Sequence, residues 1–125
     1  MDWKIELVPL SVADVDRAVD FYGSRVGWPV DHDVVVQDGL RFVQVTPPGS
    51  ACSFCFGEGL EMLPPEQRQM VQVVVASAED ARDHLRGRGV ECSEVDEQPW
   101  GRFVHLTDPD GNRWAFQELP RPATT

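Results

Sequence analysis

An internal repeat limits what this chain can fold into more than any other feature of its sequence. Residues 12–18 align with residues 75–81 at a constant offset of 63 positions. In both copies an alternating, strand-like segment leads into a helical one, with Asp14 and Ser77 as the predicted N-caps and Gly27 ending the first helix. A repeat of this length in a chain of 125 residues predicts two similar units that complete one hydrophobic core between them.

Three short strands follow the helix in each copy, so the predicted order of elements is β-α-β-β-β, twice. The predicted strands are residues 6–12, 30–36, 40–45 and 51–56 in the first copy, and 70–75, 90–95, 102–107 and 112–118 in the second. Residues 58–69 include two adjacent prolines and show no sustained period, which predicts a linker. The two repeats therefore extend over about residues 3–57 and 70–119 of a single domain, residues 1–125.

The last two predicted strands flank the segment Asp108-Pro109-Asp110-Gly111-Asn112. Proline fixes φ, glycine and asparagine tolerate positive φ, and an aspartate side chain can accept hydrogen bonds from the backbone of its own turn. Such a segment between two strand-like runs predicts a β-hairpin near the end of the chain.

The hairpin and the β-α-β-β-β repeat together resemble the vicinal oxygen chelate superfamily, over roughly residues 5–119. This superfamily includes glyoxalase I, bleomycin-resistance proteins, fosfomycin-resistance enzymes and extradiol dioxygenases. The resemblance implies an α+β fold in which two βαβββ modules form a curved mixed sheet around a ligand-binding trough, with the helices outside. It also implies a homodimer, because many single-chain relatives pair through sheet edges or exchanged units.

Most enzymes of this superfamily hold a divalent metal in the trough through His, Glu or Gln, and the metal acts as a Lewis acid. The resemblance maps three of the ligand positions onto Leu7, Met70 and Ala115, and the fourth near Ala51 or Ser53. None of these offers the hard oxygen or imidazole donor that such a metal needs. We therefore expect no metal and no other cofactor.

A shift of two residues along the same strand faces would leave Gln72, Gln117 and His105 as an alternative metal set, although two amides and one imidazole bind divalent ions weakly. Without a metal, the trough is expected to be apolar and aromatic with a few polar points, as in many small-molecule pockets. The predicted ligand-binding residues are Trp3, Leu7, Met70, Gln72, Trp100, Phe103, His105, Ala115 and Gln117. His105 is also the candidate catalytic acid or base.

Composition excludes several other classes of protein. A formal charge of −10 argues against nucleic-acid binding, which needs clustered Lys and Arg. The sequence has no apolar run long enough for a membrane span, and charges at residues 2, 4 and 6 argue against a secretory signal, so we expect a cytoplasmic protein. The three cysteines form no disulfide framework, and Cys52 and Cys55 lie on opposite faces of a predicted strand, where burial is expected.

Three functions agree with these features. The favoured hypothesis is binding of a small apolar or aromatic organic molecule in the trough, without a metal. The alternative is a lyase, isomerase or dioxygenase of the same superfamily that uses the shifted metal set or His105. A third hypothesis is a scaffold or interaction protein whose trough is filled by its own side chains.

Overall fold

The computed structural model describes residues 1–60, 64 and 66–120 of the chain. The chain forms two compact units, Met1–Gln69 and Met70–Thr125. Each unit contains one four-stranded mixed sheet and one helical segment in the order β-α-β-β-β, so the predicted α+β class and its repeat are confirmed. Residues 61–63 and 65 of the predicted linker lie outside the described residues.

In the first unit the strand order is β1-β4-β3-β2. The elements are β1 (Leu7–Pro9), α1 (Val15–Val19), β2 (Val30–Gln37), β3 (Leu40–Val45) and β4 (Ser53–Glu58). β1 pairs with β4 in parallel, and the other pairs are antiparallel. This arrangement makes β1 and β2 the two edge strands of the sheet.

The second unit repeats this topology with the strand order β5-β8-β7-β6. Its elements are β5 (Met70–Val74), α2 (Ala78–Gly87), β6 (Asp96–Gln98), β7 (Gly101–Thr107) and β8 (Arg113–Glu118). β5 and β8 form the parallel pair, and the predicted hairpin is confirmed as the antiparallel pair β7 and β8. None of the helices in the described ranges has the length and apolar content needed to cross a lipid bilayer.

Both predicted helix starts are confirmed by side-chain capping. The Asp14 carboxylate accepts a hydrogen bond from the Arg17 N–H at 3.0 Å, and the Ser77 hydroxyl accepts one from the Asp80 N–H at 3.1 Å. Each bond satisfies a backbone donor that has no partner inside the helix. The capping residues therefore fix where both helices begin.

The first helix differs from the predicted α-helix after one and a half turns, because residues Asp20–Val26 form a π-helical segment. Gly27 ends this segment as predicted, with φ of 88° and its N–H donating to the Tyr22 carbonyl five residues earlier. The wider turn places the adjacent Phe21 and Tyr22 in the core together with Val26. Packing of these three side chains accounts for the change in helix type.

Two strand predictions need correction. Residues 90–95 form no strand, and the outer strand of the second sheet is β6, a few residues later. The Ser93 hydroxyl accepts the hydrogen bond of the His105 N–H at 2.9 Å, so a side chain replaces the backbone partner that a strand would supply. Strand β1 is also shorter than predicted, because its last backbone bond joins the Leu10 N–H to the Cys55 carbonyl and the chain then turns towards the Asp14 cap.

One face of each sheet packs into a hydrophobic core on the helix side. In the first unit Tyr22 packs edge-on against Phe54 with ring centroids 4.8 Å apart. In the second unit Trp114 and Phe116 stack at 6.3 Å. The other core side chains of these faces are Val43, Val45 and Phe56 in the first unit and Ala78, Leu85, Val104 and Leu106 in the second. Burial of these groups supplies most of the free energy that stabilises each unit.

The three cysteines are free thiols. Cys55 lies buried in β4, as predicted, and burial raises the pKa of its thiol. The prediction of burial is wrong for Cys52, which is only partly covered because it precedes β4 in the connecting loop.

Candidate functional site

The residues of β8 alternate between the two faces of the second sheet. Trp114 and Phe116 face the core under α2, and therefore Arg113, Ala115 and Gln117 face the other side. We refer to this other side as the open face of the second unit. The alternation predicted for this strand agrees with the observed burial of the two aromatic residues.

The register of the sheet brings most of the predicted binding residues onto this open face. Ala115 pairs with Gln72 on β5 and with His105 on β7, and the next row joins Gln117 to Phe103. Six residues predicted from the sequence therefore share the face, namely Met70, Gln72, Phe103, His105, Ala115 and Gln117. They are not equally accessible, since Phe103, Ala115 and Gln117 are buried whereas Met70 is 54% exposed.

A chain of hydrogen bonds crosses the open face. The side-chain nitrogen of Gln72 donates to the side-chain oxygen of Gln117 at 2.7 Å, and the side-chain nitrogen of Gln117 donates to the Trp100 carbonyl at 2.9 Å. Trp100 immediately precedes β7 and is 62% exposed. The structure thus connects three predicted residues through their polar groups.

A concavity of about 580 Å³ lies in the second unit at the end of the sheet where Met70, Thr107 and Arg113 lie. Its lining combines the thioether and imidazole of two predicted residues with side chains that the sequence prediction did not include. The lining residues are Met70, Glu91, Cys92, Ser93, His105, Leu106, Thr107, Arg113 and Trp114. The concavity therefore offers both apolar surface and groups that can donate or accept hydrogen bonds.

The imidazole of His105 lies against the phenyl ring of Phe103, with centroids 5.9 Å apart and an angle of 4° between the planes. Its Nε2 atom is 3.8 Å from the Asp96 carboxylate, which is too long for a hydrogen bond. Within the described part of the chain, neither imidazole nitrogen has a hydrogen-bond partner. His105 is therefore able to stack on a planar ligand and to exchange a hydrogen bond with it.

Arg113 supplies a positive charge to the lining of the concavity. Its guanidinium has no carboxylate or hydrogen-bond partner among the residues for which the structure gives positions, in contrast to Arg102, which bonds to Glu79 and Glu97. Sequence alternation alone was sufficient to place Arg113 on the open face, but not to show that it lacks a partner.

The remaining predicted residues, Trp3 and Leu7, belong to the first unit. Trp3 is 87% exposed in the segment before β1, and Leu7 is half-buried on β1, where it pairs with Ser53. The Ser53 hydroxyl is within 2.6 Å of the Thr46 hydroxyl, which also bonds to the Asp31 carboxylate. The polar groups at this position are thus satisfied within the first unit.

The residues present do not fit the divalent metal that the resemblance implies. The positions of Leu7, Met70 and Ala115 carry no suitable donor, and the shifted set is weakened because the side-chain oxygen of Gln117 already accepts a hydrogen bond from Gln72. The described residues also contain no group of three or more His, Cys, Asp or Glu side chains arranged to hold a metal ion.

The two units also have a second sequence match, which was not identified from the sequence alone. The run Arg-Phe-Val-x-x-Thr occurs at residues 41–46, on and just after β3, and again at residues 102–107 on β7. His105 occupies the position of Gln44 in this match. Comparing the two copies position by position would have identified His105 as a departure from the repeat.

Similar sequences and solved structures place this chain in a family with the same topology. Residues 4–116 match the sequence profile of the Glyoxalase/Bleomycin resistance protein/Dioxygenase superfamily. The chain is also similar to the uncharacterized protein YetH of Bacillus subtilis strain 168, with 27% identity over 119 residues, which cover 92% of this chain and 98% of YetH.

Two solved structures from Streptomyces sp. CB03234 are similar to this chain. TnmS3, an antibiotic binding protein, superimposes with a TM-score of 0.81 and 26% identity, covering 95% of this chain and 98% of TnmS3. A glyoxalase/bleomycin resistance protein gives a TM-score of 0.77 and 28% identity, covering 92% of this chain and all of the other, 100%. The sequence profile spans nearly the whole chain, so this protein belongs to the Glyoxalase/Bleomycin resistance protein/Dioxygenase superfamily.

Proposed function

We propose that this protein binds a small apolar or aromatic organic molecule on the open face of the second unit, without a metal. The observation that carries the proposal is the replacement of the family's metal-ligand positions by Leu7, Met70 and Ala115 on an otherwise complete fold. A site without a metal has to recognise its ligand through shape, stacking and hydrogen bonds.

The open face provides these interactions. A planar ring placed on the imidazole of His105 extends the stack that begins with Phe103, and the exposed side chain of Met70 adds a polarizable apolar contact. Trp100 adds a second exposed aromatic surface next to the same face. TnmS3 is described as an antibiotic binding protein, which supports a small organic compound as the ligand of this chain.

The proposal includes a homodimer in the cytoplasm. Free cysteines are typical of proteins that work in a reducing compartment. The edge strand β2 exposes Val34, Val35 and Val36, which is unusual for a strand edge open to water and favours coverage by a second copy. Sedimentation equilibrium should give twice the chain mass, and a Val35→Lys variant should shift the protein towards monomer.

A thermal-shift screen of aromatic antibiotics and polycyclic phenols tests the function. The screen is run on protein stripped with EDTA and on protein with added Ni, Zn, Mn or Fe, and elemental analysis of the untagged protein gives its metal content. We expect compounds that raise Tm equally in both conditions, since a ligand stabilises the folded state that it binds. Absence of any stabilising compound, or stabilisation only with a metal, would contradict the proposal.

A second candidate function is an enzyme of the same superfamily, a lyase or isomerase assisted by His105. The observation that favours it is the imidazole without a hydrogen-bond partner in the described structure, which leaves it available for proton transfer. A His105→Gln variant keeps a polar side chain but cannot act as a base. Equal turnover of a substrate by this variant and the wild type would exclude the role of His105 as an acid or base.

A further inference from the structure

The end of the open face at Arg113 is a part of that face that lines the concavity. Arg113 on β8 pairs with Met70 on β5 and with Thr107 on β7, and all three residues belong to the lining. His105 lies two residues before Thr107 on the same strand, about 7 Å away at the usual rise of a strand. The concavity therefore has a guanidinium and a hydroxyl at one place and an imidazole stacked on Phe103 nearby.

The first unit shows which group the equivalent threonine binds. The match Arg-Phe-Val-x-x-Thr ends in Thr46 in the first unit and in Thr107 in the second. Ser53 lies beside Thr46, with the two hydroxyls 2.6 Å apart, as Arg113 lies beside the threonine of the second unit. The Thr46 hydroxyl also donates a hydrogen bond to the Asp31 carboxylate. In the first unit the threonine therefore binds a carboxylate that the chain itself supplies.

The second unit has no carboxylate at the equivalent place. Asp31 immediately precedes the β2 residue that pairs with Gln44. In the second unit Cys92 immediately precedes Ser93, the residue that exchanges hydrogen bonds with His105. Since His105 is the counterpart of Gln44, a thiol stands where the first unit has a carboxylate. The hydroxyl of the threonine in this unit has no hydrogen-bond partner among the residues that the structure describes.

The charge of Arg113 is not balanced by a carboxylate. The sequence has 21 Asp and Glu residues against 11 Lys and Arg, so acidic partners are plentiful. The arginines that bond to such a partner include Arg41, Arg82, Arg86 and Arg102. Glu91 is the acidic residue of the concavity lining, and within the described ranges it forms no ion pair with Arg113. The guanidinium is therefore available to an anion from solution, and its planar arrangement of donors matches a carboxylate.

We propose that the concavity binds aromatic acids, with the ligand carboxylate at Arg113 and Thr107 and the aromatic ring at His105. In this arrangement the ligand supplies the acceptor that Asp31 supplies in the first unit. The inference rests on the proposed function, because it names the class of ligand for the same face. Since a charge-assisted hydrogen bond is stronger than a neutral one, Arg113 should favour an acid over its amide by about fivefold.

The test uses 2-naphthoate and 2-naphthamide at neutral pH, which have nearly the same shape and differ in charge. Calorimetry on the intact chain gives both dissociation constants, and the preference is the Kd of the amide divided by the Kd of the acid. We expect this preference to be about fivefold larger in the wild type than in Arg113→Gln. Arg102→Gln is the matched control and should keep the wild-type preference, because it removes the same charge from the helix side of the same sheet. An equal preference in the wild type and Arg113→Gln would overturn the inference.

Two further measurements cover the case in which Arg113→Gln fails to fold. On the wild type, raising NaCl from about 0.05 to about 0.5 M should weaken binding of 2-naphthoate about threefold and that of 2-naphthamide much less, because salt screens an exposed charge pair. Glu91→Gln removes the negative charge of the lining and should tighten binding of the acid about twofold. Equal salt dependence of the two probes, or an unchanged affinity of Glu91→Gln for the acid, would contradict the inference.

The binding results separate the two proposals. If both probes bind and Arg113→Gln leaves the preference unchanged, or if 2-naphthoate does not bind while other screened compounds do, the inference about Arg113 is wrong and the proposed function stands. If no compound of the screen binds at all, the proposed function fails and the inference fails with it.

Discussion

The two units have similar contacts on the helix side of their sheets and different contacts on the other side. On the helix side, Arg41 of the first unit bonds to Asp16 on α1 and to Asp33 on β2. The corresponding Arg102 of the second unit bonds to Glu79 on α2 and to Glu97 on β6. In each unit one arginine therefore connects the helix to the outer edge strand across the sheet.

On the face away from the helix, the two units differ in whether their polar side chains have hydrogen-bond partners. In the first unit the Thr46 hydroxyl bonds both to the Asp31 carboxylate and to the Ser53 hydroxyl. In the second unit the side-chain oxygen of Gln72 and the imidazole nitrogens of His105 have no hydrogen-bond partner among the described residues. The comparison teaches that the two units keep the same arginine contacts on the helix side, whereas they differ in the polar groups of the other side, where we propose that the ligand binds in the second unit.

The largest expected change in the free energy of unfolding comes from a substitution in the core of the second unit. Trp114→Ala removes a fully buried indole and should lower the free energy of unfolding by about 3–5 kcal/mol. Trp100→Ala, on the exposed side, should change it by less than about 0.5 kcal/mol and weaken ligand binding instead. Urea denaturation measures both. Equal destabilisation by the two variants would contradict the assignment of the faces.

The second largest effect should be a difference in how much the last hairpin turn of each unit contributes to stability. Asp108 is buried and accepts hydrogen bonds from the Asp110 and Asn112 N–H groups at 2.9 and 2.8 Å, so Asp108→Ala should cost about 3 kcal/mol. Ser50 in the first unit makes one such bond, with the Cys52 N–H, at an exposed site, and Ser50→Ala should cost less than about 1 kcal/mol. Denaturant midpoints that move by the same amount would remove this difference between the units.

Substitutions at equivalent positions of the repeat, His105 and Gln44, should have different effects on ligand affinity. His105→Gln converts the second unit's residue into the one that the first unit has, and loss of the stacked imidazole should weaken binding about three- to tenfold. The matched change Gln44→His should leave affinity unaltered. Titration calorimetry with a compound from the thermal-shift screen measures both, and weaker binding by the Gln44 variant alone would reverse the roles of the two faces.

The smallest of the four predicted effects is that acid weakens the carboxylate contacts of Arg41 and Arg102. The Arg41 hydrogen bond lowers the pKa of Asp33 below its usual 3.8, and the Arg102 hydrogen bond lowers the pKa of Glu79 below its usual 4.5. A carboxylate with a lowered folded-state pKa stabilises the fold above its unfolded-state pKa, and this contribution disappears as the pH falls through the folded-state value.

Unfolding free energy should therefore decrease as the pH is lowered below about 4.5, and more gently in Arg41→Gln and Arg102→Gln than in the wild type. Denaturation at a series of pH values measures the slope. An unchanged slope in both variants would show that these pairs contribute nothing to the acid sensitivity of either unit.

The sequence predicted those parts of the structure that local chemistry decides. Capping by Asp14 and Ser77, the left-handed Gly27 and the hairpin at Asp108 each depend on a few neighbouring residues, and each was confirmed. Alternation along β8 likewise separated Trp114 from its polar neighbours.

Tertiary contacts decided the rest. No local pattern indicated that the Ser93 hydroxyl would replace a backbone partner of β7, nor that the segment after Val19 would widen into a π-helix to bury Phe21 beside Tyr22. Arg113 has no hydrogen-bond or carboxylate partner among the described residues, and this condition involves every acidic residue around it. These features could only be found in three dimensions.

Chemical-shift mapping tests the central claim, that the second unit carries the recognition face, most directly. Backbone amides and methionine methyl groups are followed by NMR while a compound from the thermal-shift screen is added to metal-free protein. We predict the largest shifts at Met70, Gln72 and His105, and small shifts at Thr46 and Ser53. Large shifts at Thr46 and Ser53 with none at Met70, Gln72 and His105 would contradict the account.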